Sequence, residues 1–129
     1  MRFTNKTVFI TGAAGGIGRQ TGLSFAKEGA NIAVSDLDFD MASRVAKEIK
    51  SAGGNAEPFK LDVTNQNETI EKMKNAYEHF GSLDIAFCNA GIREIVSPLE
   101  LSIEEWRMGS DINVTGVFLC AQTFAEHCI

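Results

Sequence analysis

The stretch with the clearest chemical meaning is glycine-rich and runs from Thr11 to Gly18, between an apolar run and a helical pattern. Glycines at such a junction permit a sharp turn and let the backbone approach a pyrophosphate closely. A helix starting near Gly16 would direct free N–H groups and its positive dipole end at that anion. A tight strand-to-helix turn without a ligand is the alternative. Four glycines within seven residues favour the anion site.

Two other nucleotide-binding patterns fit this stretch less well. A triphosphate loop needs Gly-Lys-Ser/Thr where the helix starts, and Ile17-Gly18-Arg19 stands there instead. Methyltransferases also combine a glycine turn with an acid after the second strand. Their glycines are usually more tightly spaced, so that class is a distant second.

An acidic residue, Asp36, ends the second apolar run, eighteen residues after the last glycine of the turn. In a dinucleotide-binding fold a carboxylate at this place accepts from the adenosine ribose hydroxyls and repels a 2′-phosphate. Gly15 and Leu37, where a basic residue would welcome that phosphate, are uncharged. The pattern therefore predicts NAD rather than NADP. Asp38 and Asp40 are interpreted as caps of the following turn.

A second acid, Asp62, ends the third apolar run, in Leu61-Asp62-Val63-Thr64. It could cap the next turn, which is a common role of aspartate. It could equally accept a hydrogen bond from the adenine amino group. Spacing alone leaves both roles open.

The elements that would position these residues alternate between strand and helix patterns. Strands 1 to 4 are predicted over 7–10, 31–35, 56–61 and 83–88, with helices between them and two helical stretches after them. This alternation predicts an α/β fold with a doubly wound, Rossmann-like parallel sheet of order 3-2-1-4, in one domain over residues 1–129. Ligands of such sheets bind at the carboxyl ends of the strands.

Helix ends and faces also follow from the pattern. Asn65 with Glu68, and Ser102 with Glu105, are spaced as capping pairs at helix starts. The last helix is predicted over 114–129. In the third helix the apolar stripe is predicted to comprise Ile70, Met73, Tyr77 and Phe80, which makes Tyr77 a core residue.

Composition excludes several classes of protein. Hydrophobic residues make up 44% and charged residues 22%, which is ordinary globular usage. The net charge of -5 argues against a broad basic face and hence against nucleic acid as a partner. No apolar run approaches the roughly 20 residues of a membrane helix, so no membrane is expected.

The opening residues and the sulfur and imidazole side chains carry further expectations. Residues 1–6 contain no apolar signal core, which argues against export. Three cysteines without CxxC spacing suggest free thiols in a reducing compartment, so the cytoplasm is expected. His79 and His127 have no ligand spacing around them, and no metal site is inferred.

Together these motifs resemble one family. Thr11-Gly12-x-x-x-Gly16-x-Gly18, Asp36, Asp62-Val63, Asn89-Ala90-Gly91 and Asn113-Val114-Thr115-Gly116 occur in the order and spacing of the classical short-chain dehydrogenases/reductases. Each motif is weak alone, but five in register are specific, and the resemblance covers the whole chain.

The resemblance implies a role for each motif. Pyrophosphate would be bound by Gly12, Ala14, Gly15, Gly16, Ile17 and Gly18. Asp36 and Leu37 would lie at the adenosine ribose of NAD, and Asp62 and Val63 would border the adenine. Asn89-Ala90-Gly91 would support the centre of the sheet and touch the nicotinamide side. Asn113 would be catalytic, holding a water of the proton relay from a helix kink. A cap at the start of the last helix is the alternative or additional role of Asn113.

The chain also departs from the family pattern. Family members carry a serine, then a tyrosine with a lysine four residues later, on further strands. The only tyrosine here is Tyr77, and Gly81 lies four residues after it. We therefore expect the amino-terminal half of a dehydrogenase that moves a hydride between NAD(H) and an alcohol or ketone, inactive as these 129 residues alone.

Other expectations remain open. The complete protein would be a homo-oligomer, and its substrate would meet Ile92, Arg93 and Glu94. Arg93 could meet an anionic substrate or lie on the surface. A non-catalytic dinucleotide-binding module is the alternative function. A third possible function is a protein that binds partners through its last two helices. That function gives the glycine turn no role.

Overall fold

The computed structural model describes residues 1–93 and 95–129, and four strands alternate with helices over the first two-thirds of the chain. A long helical region follows them. The elements are β1 (Thr7–Thr11), α1 (Gly16–Lys27), β2 (Asn31–Asp36), α2 (Phe39–Ser51), β3 (Asn55–Lys60), α3 (Gln66–Phe80), β4 (Ile85–Phe87), α4 (Ile103–Ser110), a π-helical segment (Asp111–Thr115) and α5 (Gly116–Cys128).

The sheet has the order β3-β2-β1-β4, and its three pairings are parallel, which confirms the predicted class and strand order. All five residues of β1 are buried. Helices cover both faces of the sheet, and for that reason β1 and β2 are apolar on both faces instead of alternating with polar residues. The parallel arrangement brings Thr11, Asp36 and the residues after β4 to one edge.

The core forms two layers, one on each face of the sheet, and β1 contributes to both. Val8 and Ile10 pack with β2 residues and α2 on one face. Phe9 packs on the other face with Met73 of α3 and Cys120 of α5. The period of two along a strand produces this division.

The buried stripe of α3 differs from the prediction. It consists of Thr69, Met73 and Ala76. Tyr77 is 47% exposed, so its assignment to the core was wrong. The helix is rotated so that its smaller side chains meet the sheet, and the Tyr77 ring stacks instead on His127 of α5, with ring centroids 5.9 Å apart.

The last helix also begins earlier than predicted. Ser102 Oγ accepts a hydrogen bond from Glu105 N, and the Glu105 carboxylate accepts one from Ser102 N, a capping box that starts α4 as predicted. From there the backbone stays helical through the π segment, where Gly116 N donates to Asp111 O, five residues back. Asn113 therefore lies inside a continuous helix, and its alternative role as a helix-start cap is wrong.

Strand β4 is shorter than predicted because its flanking residues make other bonds. Asp84 accepts hydrogen bonds from Thr7 N (2.9 Å), Lys6 Nζ (2.9 Å) and Ser82 Oγ (2.8 Å). At the other end Asn89 N donates to Phe87 O (3.0 Å), which closes a three-residue turn. Among the residues that the structure describes, none of the helices is both long and apolar enough to span a membrane.

Candidate functional site

The glycine turn after β1 has no space for a Cβ at two of its positions. A Cβ at Gly12 would lie 2.8 Å from Ala90 Cα, and Gly12 has a positive φ of 62°. A Cβ at Gly18 would lie 2.3 Å from Gly12 O and 2.6 Å from Asn89 Nδ2. These contacts hold the turn against the segment after β4.

The opposite side of the turn is open. A Cβ at Gly15 or Gly16 would meet no atom within 4 Å, and the Ile17 side chain is 73% exposed. Helix α1 begins here without a side-chain cap and without an acid in its first turn. The first N–H groups of a helix have no partner within it. This open, uncapped helix start therefore fits the pyrophosphate of a dinucleotide.

The carboxylate of Asp36 is fixed beside this turn. Its Oδ2 accepts a hydrogen bond from Ala14 N, and its Oδ1 accepts one from Asp38 N, each at 3.0 Å. Leu37 follows as an exposed apolar residue. Asp38 caps α2 by accepting from Met41 N, as predicted for it. Asp36 is thus the acid that faces the turn, and Asp38 is the structural one.

Asp62 makes the hydrogen bonds expected of a residue that caps the next turn, one of the two roles predicted for it. Its Oδ1 accepts from Thr64 N (2.9 Å) and from Thr64 Oγ1 (2.6 Å).

Val63, the residue after Asp62, is buried, and a Cβ at Gly116 would lie 2.7 Å from Val63 Cγ2. The close approach of α5 to Val63 therefore depends on the glycine that follows the π segment.

Asn89 joins the segment after β4 to the glycine turn. Its side-chain amide donates to the carbonyls of Thr11 and Gly12, both at 3.1 Å. In return Thr11 Oγ1 accepts from the backbone N–H groups of Asn89 and Ala90, both at 3.0 Å. The two strand ends are locked together by four hydrogen bonds.

The side-chain amide of Asn113 forms two hydrogen bonds with the backbone of one residue, Ile92, an arrangement that we call the Asn113 clasp. Its Oδ1 accepts from Ile92 N and its Nδ2 donates to Ile92 O, both at 2.8 Å. A Cβ at Gly91 would lie 3.1 Å from Asn113 Oδ1, so the clasp needs the small residue there. The π segment thereby fixes the backbone that leaves β4.

These residues surround a cleft of about 270 Å³ at the carboxyl ends of the strands. Seven predicted cofactor-binding residues lie in its walls: Gly12, Asp36, Leu37, Asp62, Val63, Ala90 and Gly91. The rest of the glycine turn, Ala14 to Gly18, lies outside these walls, as do Asn89 and Asn113. Asn89 instead bonds to the carbonyls of Thr11 and Gly12 in the glycine turn, and Asn113 bonds to the backbone of Ile92 in the segment after β4.

The sequence analysis assigned no individual role to two residues of the site: Thr11, whose hydroxyl anchors the segment after β4, and Ile112, which lines the cleft. Ile92, which was expected to meet the substrate, lines the cleft and is bonded through its backbone to Asn113. A hydroxyl residue directly before the first glycine was a usable signal for Thr11. Arg93 is exposed, and Glu94 lies outside the described residues.

Comparison with known proteins gives a consistent result. The family model described as short chain dehydrogenase matches residues 6–129. The chain is 41% identical over 118 residues to a cyclohexanol dehydrogenase of Acinetobacter sp. (strain SE19), covering 91% of this chain and 47% of that protein. It is 37% identical to a cis-4-hydroxycyclohexanecarboxylate dehydrogenase of Sinomonas cyclohexanicum, covering 97% of this chain and 50% of that protein.

Solved structures agree with the sequence matches. A short-chain type dehydrogenase/reductase from Mycobacterium marinum superposes with a TM-score of 0.93 at 39% identity, covering 97% of this chain and 51% of that one. The chain thus spans about half the length of the relatives that it matches.

Proposed function

The chain belongs to the short-chain dehydrogenase family, and we propose that it forms the cofactor-binding half of an enzyme that moves a hydride between NAD(H) and an alcohol or ketone. The observation that carries this proposal is the placement of Asp36 beside the open glycine turn, with its carboxylate bonded to Ala14 N. The free oxygen lone pairs of that carboxylate suit ribose hydroxyls as donors.

The preference for NAD over NADP rests on charge. A 2′-phosphate at this ribose would meet the Asp36 carboxylate, a like-charge contact. Gly15 and Leu37 offer it no cation, and the guanidinium of nearby Arg19 is engaged by Glu48. Discrimination on the order of 2 kcal/mol or more is expected from such an arrangement.

The residues of this chain would bind and orient the cofactor. NAD, when bound, supplies the hydride acceptor or donor. The start of α1 would hold the pyrophosphate, and Asn89 keeps the turn in the shape that does so. Asp62 and Val63 would border the adenine, and Ala90 and Gly91 the nicotinamide side. Asn113 would keep a water of the proton relay beside the Ile92 backbone.

Proton transfer is the step for which these residues offer no acid. Reduction of a carbonyl builds negative charge on its oxygen, and a general acid typically contributes 10²–10⁴-fold. Helix α3 starts at the edge of the sheet where the cleft lies and runs back to the opposite edge. Tyr77 lies near the end of α3, where its ring stacks on His127, and is therefore far from the cleft. We therefore infer that the 129 residues alone bind NAD without turnover, and that the remaining half of the enzyme supplies the acid.

The relatives suggest which substrates to try first. Two of them are named as dehydrogenases of cyclohexane-ring alcohols. We propose a secondary alcohol on a six-membered ring as the substrate of the complete enzyme, which would be a cytoplasmic homo-oligomer.

The test begins with calorimetric titration of NAD and NADP into residues 1–129, with Asp40→Asn as a control that removes a charge from the first turn of α2, four residues after Asp36. NAD binding that exceeds NADP binding supports the proposal, and absence of NAD binding overturns it. NADH absorbance with cyclohexanol is then followed for this chain and for the native protein isolated from its source. A native protein of about twice this length that turns over supports the enzyme. A native protein of this length that binds NAD without turnover establishes the alternative, a non-catalytic module.

A further inference from the structure

Two of the three cysteines lie in one core layer, where α5 packs against the sheet. Cys88 directly follows β4 and packs, partly buried, against the same core layer to which Cys120 belongs. Cys120 lies on the sheet-facing side of α5 and is 1% exposed. The third, Cys128, is exposed at the end of α5. Cys128 lies eight positions after Cys120, about 12 Å along the helix axis, which is too far for a disulfide between them.

The two thiols differ in their readiness to react. A hydrogen bond from the Cys120 thiol lowers the pKa of Cys88 to about 7, although partial burial opposes this shift. The same contact and burial raise the pKa of Cys120. Since the thiolate is the nucleophile, Cys88 is the sulfur that reacts first with an oxidant, by attacking it, and Cys120 is the thiol beside it.

The position of Cys88 links this pair to the cofactor site. It is the central residue of the turn in which Asn89 N donates to Phe87 O. Asn89 is also the residue whose amide holds the carbonyls of Thr11 and Gly12. A covalent bond at Cys88 would therefore act on the residue that shapes the glycine turn.

We propose that Cys88 and Cys120 are a redox-active dithiol that a hydroperoxide converts into an intramolecular disulfide. Cys88 takes one oxygen of hydrogen peroxide to become a sulfenic acid, the O–O bond breaks, and the other oxygen leaves as water. The Cys120 sulfur then attacks the Cys88 sulfur, the S–O bond breaks, and a second water leaves with the remaining thiol proton. The two thiols lose two electrons in total, and the peroxide gains them.

The disulfide weakens cofactor binding, a consequence that rests on the proposed function. A disulfide demands an S–S length of about 2.05 Å and a defined dihedral angle, which are tighter constraints than a thiol contact. Drawing Cys88 toward α5 displaces Asn89 from the carbonyls of the glycine turn. We expect the affinity for NAD to fall by about tenfold, the loss of roughly one hydrogen bond.

The experiment uses the Cys128→Ser variant, so that the exposed thiol cannot interfere. It is treated with hydrogen peroxide, digested without reduction, and examined by mass spectrometry. We expect loss of two hydrogens, a linked pair of peptides containing Cys88 and Cys120, and recovery of both thiols with dithiothreitol. Adding Cys120→Ser should stop the reaction at the sulfenic acid of Cys88, and adding Cys88→Ser should leave Cys120 reduced. If the Cys120 variant does not fold, the linked peptides of Cys88 and Cys120 are sought instead in a digest of oxidised wild-type protein.

Two results would overturn the dithiol: a Cys120 thiol that stays free after Cys88 is oxidised, or oxidation of Cys88 to the sulfinic acid while Cys120 is present. NAD titration of oxidised and re-reduced protein separates the two proposals. Equal affinities overturn the effect on the cofactor site alone. Absence of NAD binding by the reduced protein overturns the proposed function and leaves the disulfide result standing.

Discussion

The carboxylate of Asp36 and the backbone N–H of Ala14 are joined by a hydrogen bond of 3.0 Å, which ties the end of β2 to the glycine turn after β1. This bond orients one carboxylate oxygen and fixes where the charge lies. The position of the Asp36 charge is thus set by the backbone of the glycine turn as well as by the side chain.

Replacement of Asp36 tests that relationship. Asp36→Asn removes the charge and keeps an oxygen for Ala14 N, so the turn should stay in place. The ratio of NAD to NADP affinity should fall by about tenfold or more, because the repulsion of the 2′-phosphate is lost. Titration calorimetry with both cofactors measures the ratio. Asp40→Asn should leave it unchanged, and an unchanged ratio in Asp36→Asn would contradict the assignment.

Two glycines of the same turn should respond differently to alanine. Gly18→Ala places a Cβ 2.3 Å from Gly12 O and should lower the free energy of unfolding by about 1–3 kcal/mol, since the turn must move. Gly15→Ala has nothing within 4 Å and an extended φ of −165°, so stability should change by about 0.5 kcal/mol or less. Chemical denaturation measures both. Equal destabilisation would show that the turn is not packed as described.

The bonds of Asp84 make stability depend on pH. Partial burial raises the pKa of this carboxyl, but hydrogen bonds from Thr7 N, Lys6 and Ser82 outweigh it, and the pKa is lowered overall. A lowered pKa in the folded state means that the stabilisation is complete above the unfolded value, near 3.9, and is lost as pH falls through the folded value.

Denaturation midpoints between pH 7 and pH 2 would test this dependence. Asp84→Asn should reduce the loss of stability over the acidic range and cost about 1 kcal/mol at pH 7, because it removes a charged acceptor. A variant with the same acid sensitivity as the wild type would argue against Asp84 as the source. Asp40→Asn is the control, since Asp40 lies exposed on α2.

Exposed apolar side chains on α5 should make the 129-residue chain self-associate. Phe118 is 58% exposed and Val117 37%, while β4 pairs with β1 alone within residues 1–93 and 95–129, which leaves an open strand edge. Apolar patches and unpaired edges promote association. Phe118→Gln should lower the apparent mass at a given concentration, measured by light scattering. Ala121→Gln adds the same polar group on α5 as a control, and a sharply melting monomeric wild type would contradict the expectation.

The sequence predicted those parts of the site that are determined locally. The glycine turn, the Asp38 cap and the Ser102–Glu105 capping box depend on neighbouring residues, and the parallel order of the sheet follows from the alternation of elements. The four strands begin and end within two residues of their predicted bounds.

The parts that the sequence did not predict depend on contacts between distant residues. Asn113 reaches back to Ile92, and without that contact nothing in the composition of 111–115 distinguishes a π segment from an α-helix. The face that α3 buries depends on the shape of the sheet, so Tyr77 could not be placed from periodicity alone. Cys88 and Cys120 come together only through the packing of α5 on β4.

The π segment has a consequence for insertions and deletions in this chain. Because one extra residue is accommodated between α4 and α5, each side chain after Thr115 faces the direction that its predecessor would face in an uninterrupted helix. Deleting the exposed Val114 of this segment would let the region close into a continuous α-helix with α5 still in phase, at the cost of the bonds between Asn113 and Ile92. A deletion of one residue within α5 would instead rotate Leu119, Cys120 and Thr123 away from the sheet. The segment is therefore the one place in this long helix where a change in length can alter the loop after β4 and leave the core intact.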